Sequence, residues 1–195
     1  MLEYLNQIDR SILVFFNQQH RPLLDELMLL ITGKYIWIPL YVVLIGLVVY
    51  KFKKTSWVAI LALVLTITAA DQFASSFCKP TFKRLRPCHD ESIKSQLHIM
   101  KPAGSQYGFI SSHAANTFAL ATFMFMAFKT DKKWIGYSLF IWAALVSISR
   151  VYLGVHYPGD ILFGAMTGVF WAWCFWRINQ KIATYWLSTI SISKV

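Results

Sequence analysis

Apolar positions fall into five long runs, roughly Tyr35–Tyr50, Trp57–Cys78, Ala114–Phe128, Trp134–Ser149 and Ile161–Trp176. A bilayer core about 30 Å thick takes about 20 helical residues, fewer where flanking side chains snorkel. Each run therefore predicts a membrane-spanning helix. The first, third and fourth are short on that count. The first gains length from Leu23–Thr32, where Pro22 suits a helix start, and the third by beginning within Ser111-Ser112-His113. Ahead of them, Leu2, Leu5, Ile8, Ile12 and Phe15/Phe16 recur at helical spacing opposite Glu3, Gln7, Asp9 and Arg10. Residues 1–20 read as an amphipathic helix at the membrane interface, a role compatible with packing on the bundle. They make a poor signal peptide, with no basic start and too short an apolar run at Ile12–Phe16. The predicted architecture is all-α: an integral membrane bundle of about five spans plus this interfacial helix.

Three basic groups punctuate the runs: Lys51, Lys53 and Lys54; Lys129, Lys132 and Lys133; Arg177 and Lys181. With alternating spans they share one side, which the positive-inside bias makes the cytoplasm. Residues 79–112, residues 150–160 and the N-terminal helix then lie on the extracytoplasmic side of the inner (cytoplasmic) membrane. No linker, repeat or low-complexity segment divides the chain, so residues 1–195 are expected to form one domain.

Composition agrees. Of 195 residues 56% are hydrophobic and 14% charged, against about 25% charged in soluble domains. A net charge of +10 would suit a nucleic-acid reader, but in so apolar a chain it serves orientation and anion binding, so no nucleic-acid partner is expected. The loop 79–112 carries Lys79, Lys83, Arg84, Arg86, Lys94 and Lys101 against Asp90 and Glu91. Such charge runs against the orientation bias, and an anionic ligand would explain it. Its length suits a lid or binding role. Cys78, Cys88 and Cys174 lack metal-ligand spacing, and free thiols are expected rather than a Cys78–Cys88 disulfide.

Three polar clusters sit at run boundaries. Lys79 and Arg86, seven apart, would share a face of one continuous helix. Arg86 offers a planar fork to two phosphate oxygens and Lys79 a point charge; a basic patch for lipid headgroups would show the same spacing. Ser111-Ser112-His113 opens a span, where backbone N–H groups cradle anions and serine hydroxyls cap the helix in any case. The sharpest cluster is Ser149-Arg150 with His156 and Asp160. A histidine that attacks phosphorus needs one neutral ring nitrogen aimed at the target. A carboxylate on the other nitrogen fixes the tautomer and stabilises the cation that forms. Asp160 reaches His156 if Pro158-Gly159 turns into the fifth span, and it can cap that helix as well. Asp71 interrupts an apolar run and is expected to bond within the bundle or to a nearby cation. Trp171, Trp173 and Trp176 read as an aromatic belt and packing surface. His20, His89 and His98 read as surface residues without partners, and no zinc or magnesium motif is present.

Together these clusters resemble the signatures of the type 2 phosphatidic acid phosphatase family: Lys-(six)-Arg-Pro, Pro-Ser-Gly-His and Ser-Arg-(five)-His-(three)-Asp. Lys79 through Arg86-Pro87 and Ser149-Arg150, His156 and Asp160 match fully, while Ile110 and Ser112 replace the usual proline and glycine. The resemblance implies His156 as nucleophile forming a phosphohistidine, Asp160 orienting it, and His113 as acid and then base. It also implies phosphate binding by Lys79, Arg86, Arg150, Ser111 and Ser112, with no metal or cofactor. The expected partners are the bilayer and a lipid phosphate. Candidates are undecaprenyl diphosphate, phosphatidylglycerophosphate, phosphatidic acid and lipid A phosphates, with a lean towards an isoprenyl diphosphate or another envelope lipid. A lipid phosphotransferase using the same intermediate and a catalytically silent lipid-binding scaffold are the alternatives.

Overall fold

Each of the five runs falls on a helix in the computed structural model, which describes residues 2–100 and 104–192. Lys101 of the basic loop lies outside the described residues. Helices α1 (Leu2–Asn17) and α2 (Pro22–Ile31) lead into α3 (Ile38–Phe52) and α4 (Ser56–Gln72). A π-helical stretch, Phe73–Cys78, carries α4 into the short α5 (Lys79–Phe82). Beyond the loop come α6 (Ser112–Phe128), α7 (Lys133–Tyr152) and α8 (Pro158–Ile192). Tyr35–Phe82, Lys133–Tyr152 and Pro158–Ser188 are long and apolar enough to cross a membrane. Lys53, at φ 45°, breaks the first of these between α3 and α4. Leu44 and Val48 of α3 then share a core with Ala59, Ala62 and Leu63 of α4. The chain is a multi-pass membrane protein.

Helix α6 is the buried centre. A Cβ at Gly168 would stand 2.2 Å from the Ala115 carbonyl oxygen, and one at Gly164 would stand 2.6 Å from that of Ser111. The Gly164-x3-Gly168 pair thus lets α8 settle directly on the first turns of α6, the close approach that small residues permit between membrane helices. Gly136 does the same for α7, where a Cβ would meet Phe125 at 2.6 Å. Helix α8 outruns the predicted fifth span: its 35 residues extend about 52 Å at 1.5 Å per residue.

Helix α1 leaves Glu3, Asn6, Gln7 and Ser11 exposed and turns another face to the bundle. Asn17 and Leu13 are buried, and Asp9 and Arg10 bond to the rest of the protein, while Leu5, Ile8, Ile12 and Phe15 are exposed. A helix that packs through Leu13 and Asn17 and leaves these apolar residues exposed is compatible with a place at the membrane interface. The three basic groups gather at one end of the bundle. Lys51 pairs with Asp131, Lys132 lies over the Tyr50 ring, and Trp57 meets Trp186 of α8. Lys79, Ser112, Arg150 and Asp160 stand at the opposite ends of the same helices. Cys78, Cys88 and Cys174 are free thiols.

Candidate active site

Gly154 shapes the third cluster. It closes α7 at φ 66°, a left-handed position that glycine adopts without strain. The chain then curls back, and the N–H groups of Val155 and His156 both donate to the Arg150 carbonyl, at 3.1 and 3.3 Å. Pro158 starts α8 at once. Asp160, on the first turn, takes the Tyr157 N–H at 3.0 Å through Oδ2, and the same oxygen lies 3.3 Å from His156 Nδ1. Helix capping and histidine orientation are done by one carboxylate.

The other ring nitrogen sets the chemistry. Arg86 Nη1 lies 2.8 Å from His156 Nε2. A guanidinium has only donors, so Nε2 must present its lone pair and Nδ1 must carry the proton towards Asp160. That is the tautomer a nucleophilic Nε2 needs. His156 is buried, and desolvation, then the charges of Arg86, Arg150 and Lys79, hold its imidazole well below the ordinary range. The ring is therefore neutral at pH 7. Arg86 also donates to Val155 O and Ser105 Oγ, and Arg150 Nη1 donates to Thr32 Oγ1 at 2.7 Å. The Nε atoms of Arg86 and Arg150 are buried without a hydrogen-bond partner among the described residues.

Two sequence expectations change. Lys79 and Arg86 do not share a helix face, because α5 ends at Phe82 with Lys83 left-handed at φ 47° and Arg86 extended before Pro87. Instead the loop doubles back through Arg86 N–H to Gln106 O and Gly108 N–H to Arg84 O, and it delivers Arg86 to His156 from the side. Ser111 also departs from its expected role in phosphate binding. Its N–H donates to the Asp160 carbonyl at 3.0 Å and its hydroxyl caps the Ala114 N–H, so it locks α6 to α8. The N–H groups of Ser112 and His113 are then the first-turn donors left for an anion. Ser112, the residue in place of glycine, accepts from Lys79 Nζ at 2.7 Å through its hydroxyl and so fixes that cation. Ile110, in place of proline, is buried beside Ala74, Cys78 and Ala115.

Arg84 and Asp9 were missed. Arg84 donates through Nη1 to Asp160 Oδ1 at 2.9 Å and through Nη2 to Asp9 Oδ2 at 2.5 Å, with its guanidinium over the Tyr157 ring. Asp9 also accepts the Gly159 N–H at 2.7 Å. Helix α1 thus holds, through Arg84, the carboxylate that holds His156. Asp71 bonds within the bundle, to Asn116 Nδ2 at 2.9 Å. His20 and His98 are exposed, as expected of surface residues, but they have partners: His98 Nε2 is 3.3 Å from Asp25 Oδ2, and the His98 ring stacks on that of His20.

His113 is half-buried and faces a cavity of 460 Å³ between α3, α4, α6 and α7. Its polar end carries Lys34, Asp71, Ser112 and Asn116; its walls are apolar, including Leu44, Ile67, Leu120 and Trp142.

A family model described as the PAP2 superfamily matches residues 57–183, the stretch that carries all three clusters. The chain belongs to the PAP2 superfamily. It is 40% identical to the lipid A 4'-phosphatase of Bacteroides thetaiotaomicron over 93% of this chain and 81% of that protein. It is 30% identical to the lipid A 4'-phosphatase of Porphyromonas gingivalis, over 95% and 79% respectively. In three dimensions it superposes on a transmembrane PAP2-type phosphatidylglycerolphosphate phosphatase from Bacillus subtilis with a TM-score of 0.72 and 25% identity, covering 92% of this chain and 88% of that one. This PAP2 protein is accordingly a membrane phosphatase, with its phosphatase signatures gathered at one end of the bundle.

Proposed function

We propose that this PAP2 phosphatase removes a phosphate from lipid A, through a phosphohistidine on His156 and without a catalytic metal. The observation that carries the reading is that Arg86 stands 2.8 Å from His156 Nε2 with the charges of Arg150 and Lys79 acting on the same ring, while His113 and Ser112, the partner of Lys79, line an apolar cavity. The unpaired Nε atoms of both arginines favour it further, because buried donors without partners are costly and phosphate oxygens would satisfy them. The extent of similarity to two lipid A 4'-phosphatases favours lipid A among the candidates, over the isoprenyl diphosphate that shared the lean with other envelope lipids.

In the first step the Nε2 lone pair of His156 attacks phosphorus as the bond to the lipid oxygen breaks. Arg86 exchanges its contact with Nε2 for phosphoryl oxygens, joined by Lys79, Arg150 and the first-turn N–H groups of α6. His113 gives its proton to the departing oxygen. In the second step His113 takes a proton from water, which attacks the phosphohistidine and releases inorganic phosphate. Three fixed cations supply the charge stabilisation that metals give in other phosphoryl transfers. An acyl chain would occupy the cavity beside His113.

Detergent-purified protein is expected to release phosphate from lipid A with kcat/KM at least about tenfold above that for undecaprenyl diphosphate, phosphatidylglycerophosphate or phosphatidic acid. EDTA should leave the rate unchanged. Preference for a diphosphate would displace lipid A as substrate, and loss of turnover in EDTA would refute the metal-free mechanism.

The site is proposed to face the extracytoplasmic side, because the lysine-rich end of the bundle lies opposite it. In intact cells a membrane-impermeant thiol reagent should label a cysteine introduced at Gly104 and spare one at Lys54. The reverse pattern would invert the orientation.

A further inference from the structure

A second cluster of ligand-type side chains lies outside the phosphate site and shares no residue with it. His20 in the α1–α2 turn, Asp25 in α2 and His98 in the long loop bring their ligand atoms within 4.8 Å of one another. We propose that these three residues form a binding site for a divalent transition-metal ion of the zinc class, which ties the loop 79–112 to the N-terminal helices.

The donor set is of the right kind. Two imidazoles and one carboxylate suit zinc and its neighbours in the first transition row, with the remaining position open to water. A tetrahedral shell with bonds of about 2.0–2.1 Å puts neighbouring ligand atoms about 3.3–3.4 Å apart. His98 Nε2 and Asp25 Oδ2 already stand 3.3 Å apart. His20, whose ring lies parallel to that of His98 at a centroid distance of 4.2 Å, needs a side-chain adjustment of about an ångström to complete the shell. It is exposed and can make that move.

Two of the ligands are held from behind. Asp25 is buried, and its Oδ1 accepts the Tyr152 hydroxyl, leaving Oδ2 directed at His98. Asn17 clamps the His98 backbone from both sides: its Oδ1 accepts the His98 N–H at 2.7 Å and its Nδ2 donates to the His98 carbonyl at 3.0 Å. The same Nδ2 donates to Tyr152 O at 2.7 Å. Outer partners that orient ligands in this way are the usual support of a metal site. A simple Asp25–His98 ion pair would need neither the His20 ring nor so firm a hold on the loop. The two imidazoles are exposed, so an ion has a path in, and Ile99 beside them packs with Leu24 and Met28 of α2. An ion here would join the long loop to the α1–α2 turn and to α2.

The test is zinc uptake by tag-free, detergent-purified full chain, stripped with chelator and titrated against a chromophoric competitor, with Co²⁺ as a spectroscopic probe. One ion per chain is expected in the wild type and in His156→Ala. His20→Ala and His98→Ala should bind at least tenfold more weakly. Tyr152→Phe, which removes the outer partner of Asp25 together with the acceptor of the Arg21 N–H, should weaken binding by about tenfold or more. Zinc should raise the melting temperature of the wild type but not of His20→Ala, whose exposed position leaves the apo fold intact. No uptake by the wild type would overturn the proposal. Equal uptake by His20→Ala and His98→Ala would do the same, as would loss of uptake in His156→Ala, which would place the ion in the phosphate site.

Discussion

His156→Ala should lose phosphate release almost entirely, with kcat falling on the order of 10⁴–10⁶-fold, as when a covalent nucleophile is deleted. The size follows from what the side chain does. In the proposed mechanism Nε2 supplies the bonding electron pair, and no neighbouring side chain among the described residues of the site offers a second unprotonated nitrogen in the same place. His113 stands on α6 and faces the cavity. Lys79, Arg86 and Arg150, the proposed phosphate-binding residues, remain in the variant, so lipid affinity should stay within a few-fold of wild type. A steady-state comparison separates the two effects: kcat collapses while KM barely moves. Residual turnover within tenfold of wild type would mean that His156 is only a packing residue.

Asp160→Asn should cost on the order of 10³–10⁴ in kcat, by analogy with loss of the orienting carboxylate from a hydrolase triad. The buried carboxylate accepts from the His156 Nδ1 proton, the Tyr157 N–H and Arg84. An asparagine can turn its NH₂ towards Nδ1, which would place the ring proton on Nε2 and remove the nucleophilic lone pair. Arg84→Ala should give a milder form of the same defect. Hydrogen bonds to charged groups contribute about 1.5–3 kcal/mol, or roughly 10- to 150-fold in rate. Arg84→Lys should restore part of that loss, whereas a merely steric role would leave kcat indifferent to the charge. If Asp160→Asn keeps near wild-type kcat, the tautomer argument fails. Thermal melting of each purified variant checks that the loss is chemical.

Much of the fold was legible because its signals are local. Five apolar runs mark five helices, and Pro158 next to Gly159 marks the turn that presents Asp160. The three signature clusters were legible for the same reason, since each lies within about a dozen residues. What the sequence could not show were contacts made across long stretches of chain. Asp9 reaches Arg84 and Gly159 at separations of 75 and 150 residues. Nothing in an amphipathic repeat distinguishes that aspartate from a solvated one. His20, Asp25 and His98 escaped notice for the same reason. The shared face for Lys79 and Arg86 required one continuous helix, which the left-handed Lys83 and the extended Arg86 before Pro87 break. The fifth span came out short because Arg177, Asn179, Gln180 and Lys181 end the apolar run but do not end the helix.

The central claim is that phosphate passes through His156. The most direct measurement is rapid acid-free quenching of the enzyme during turnover of ³²P-labelled lipid A, followed by mapping of the labelled peptide. The account predicts an alkali-stable, acid-labile phosphoenzyme on His156, formed and lost at rates that match kcat. Label on another residue, or burst-free turnover that never labels the protein, would contradict it.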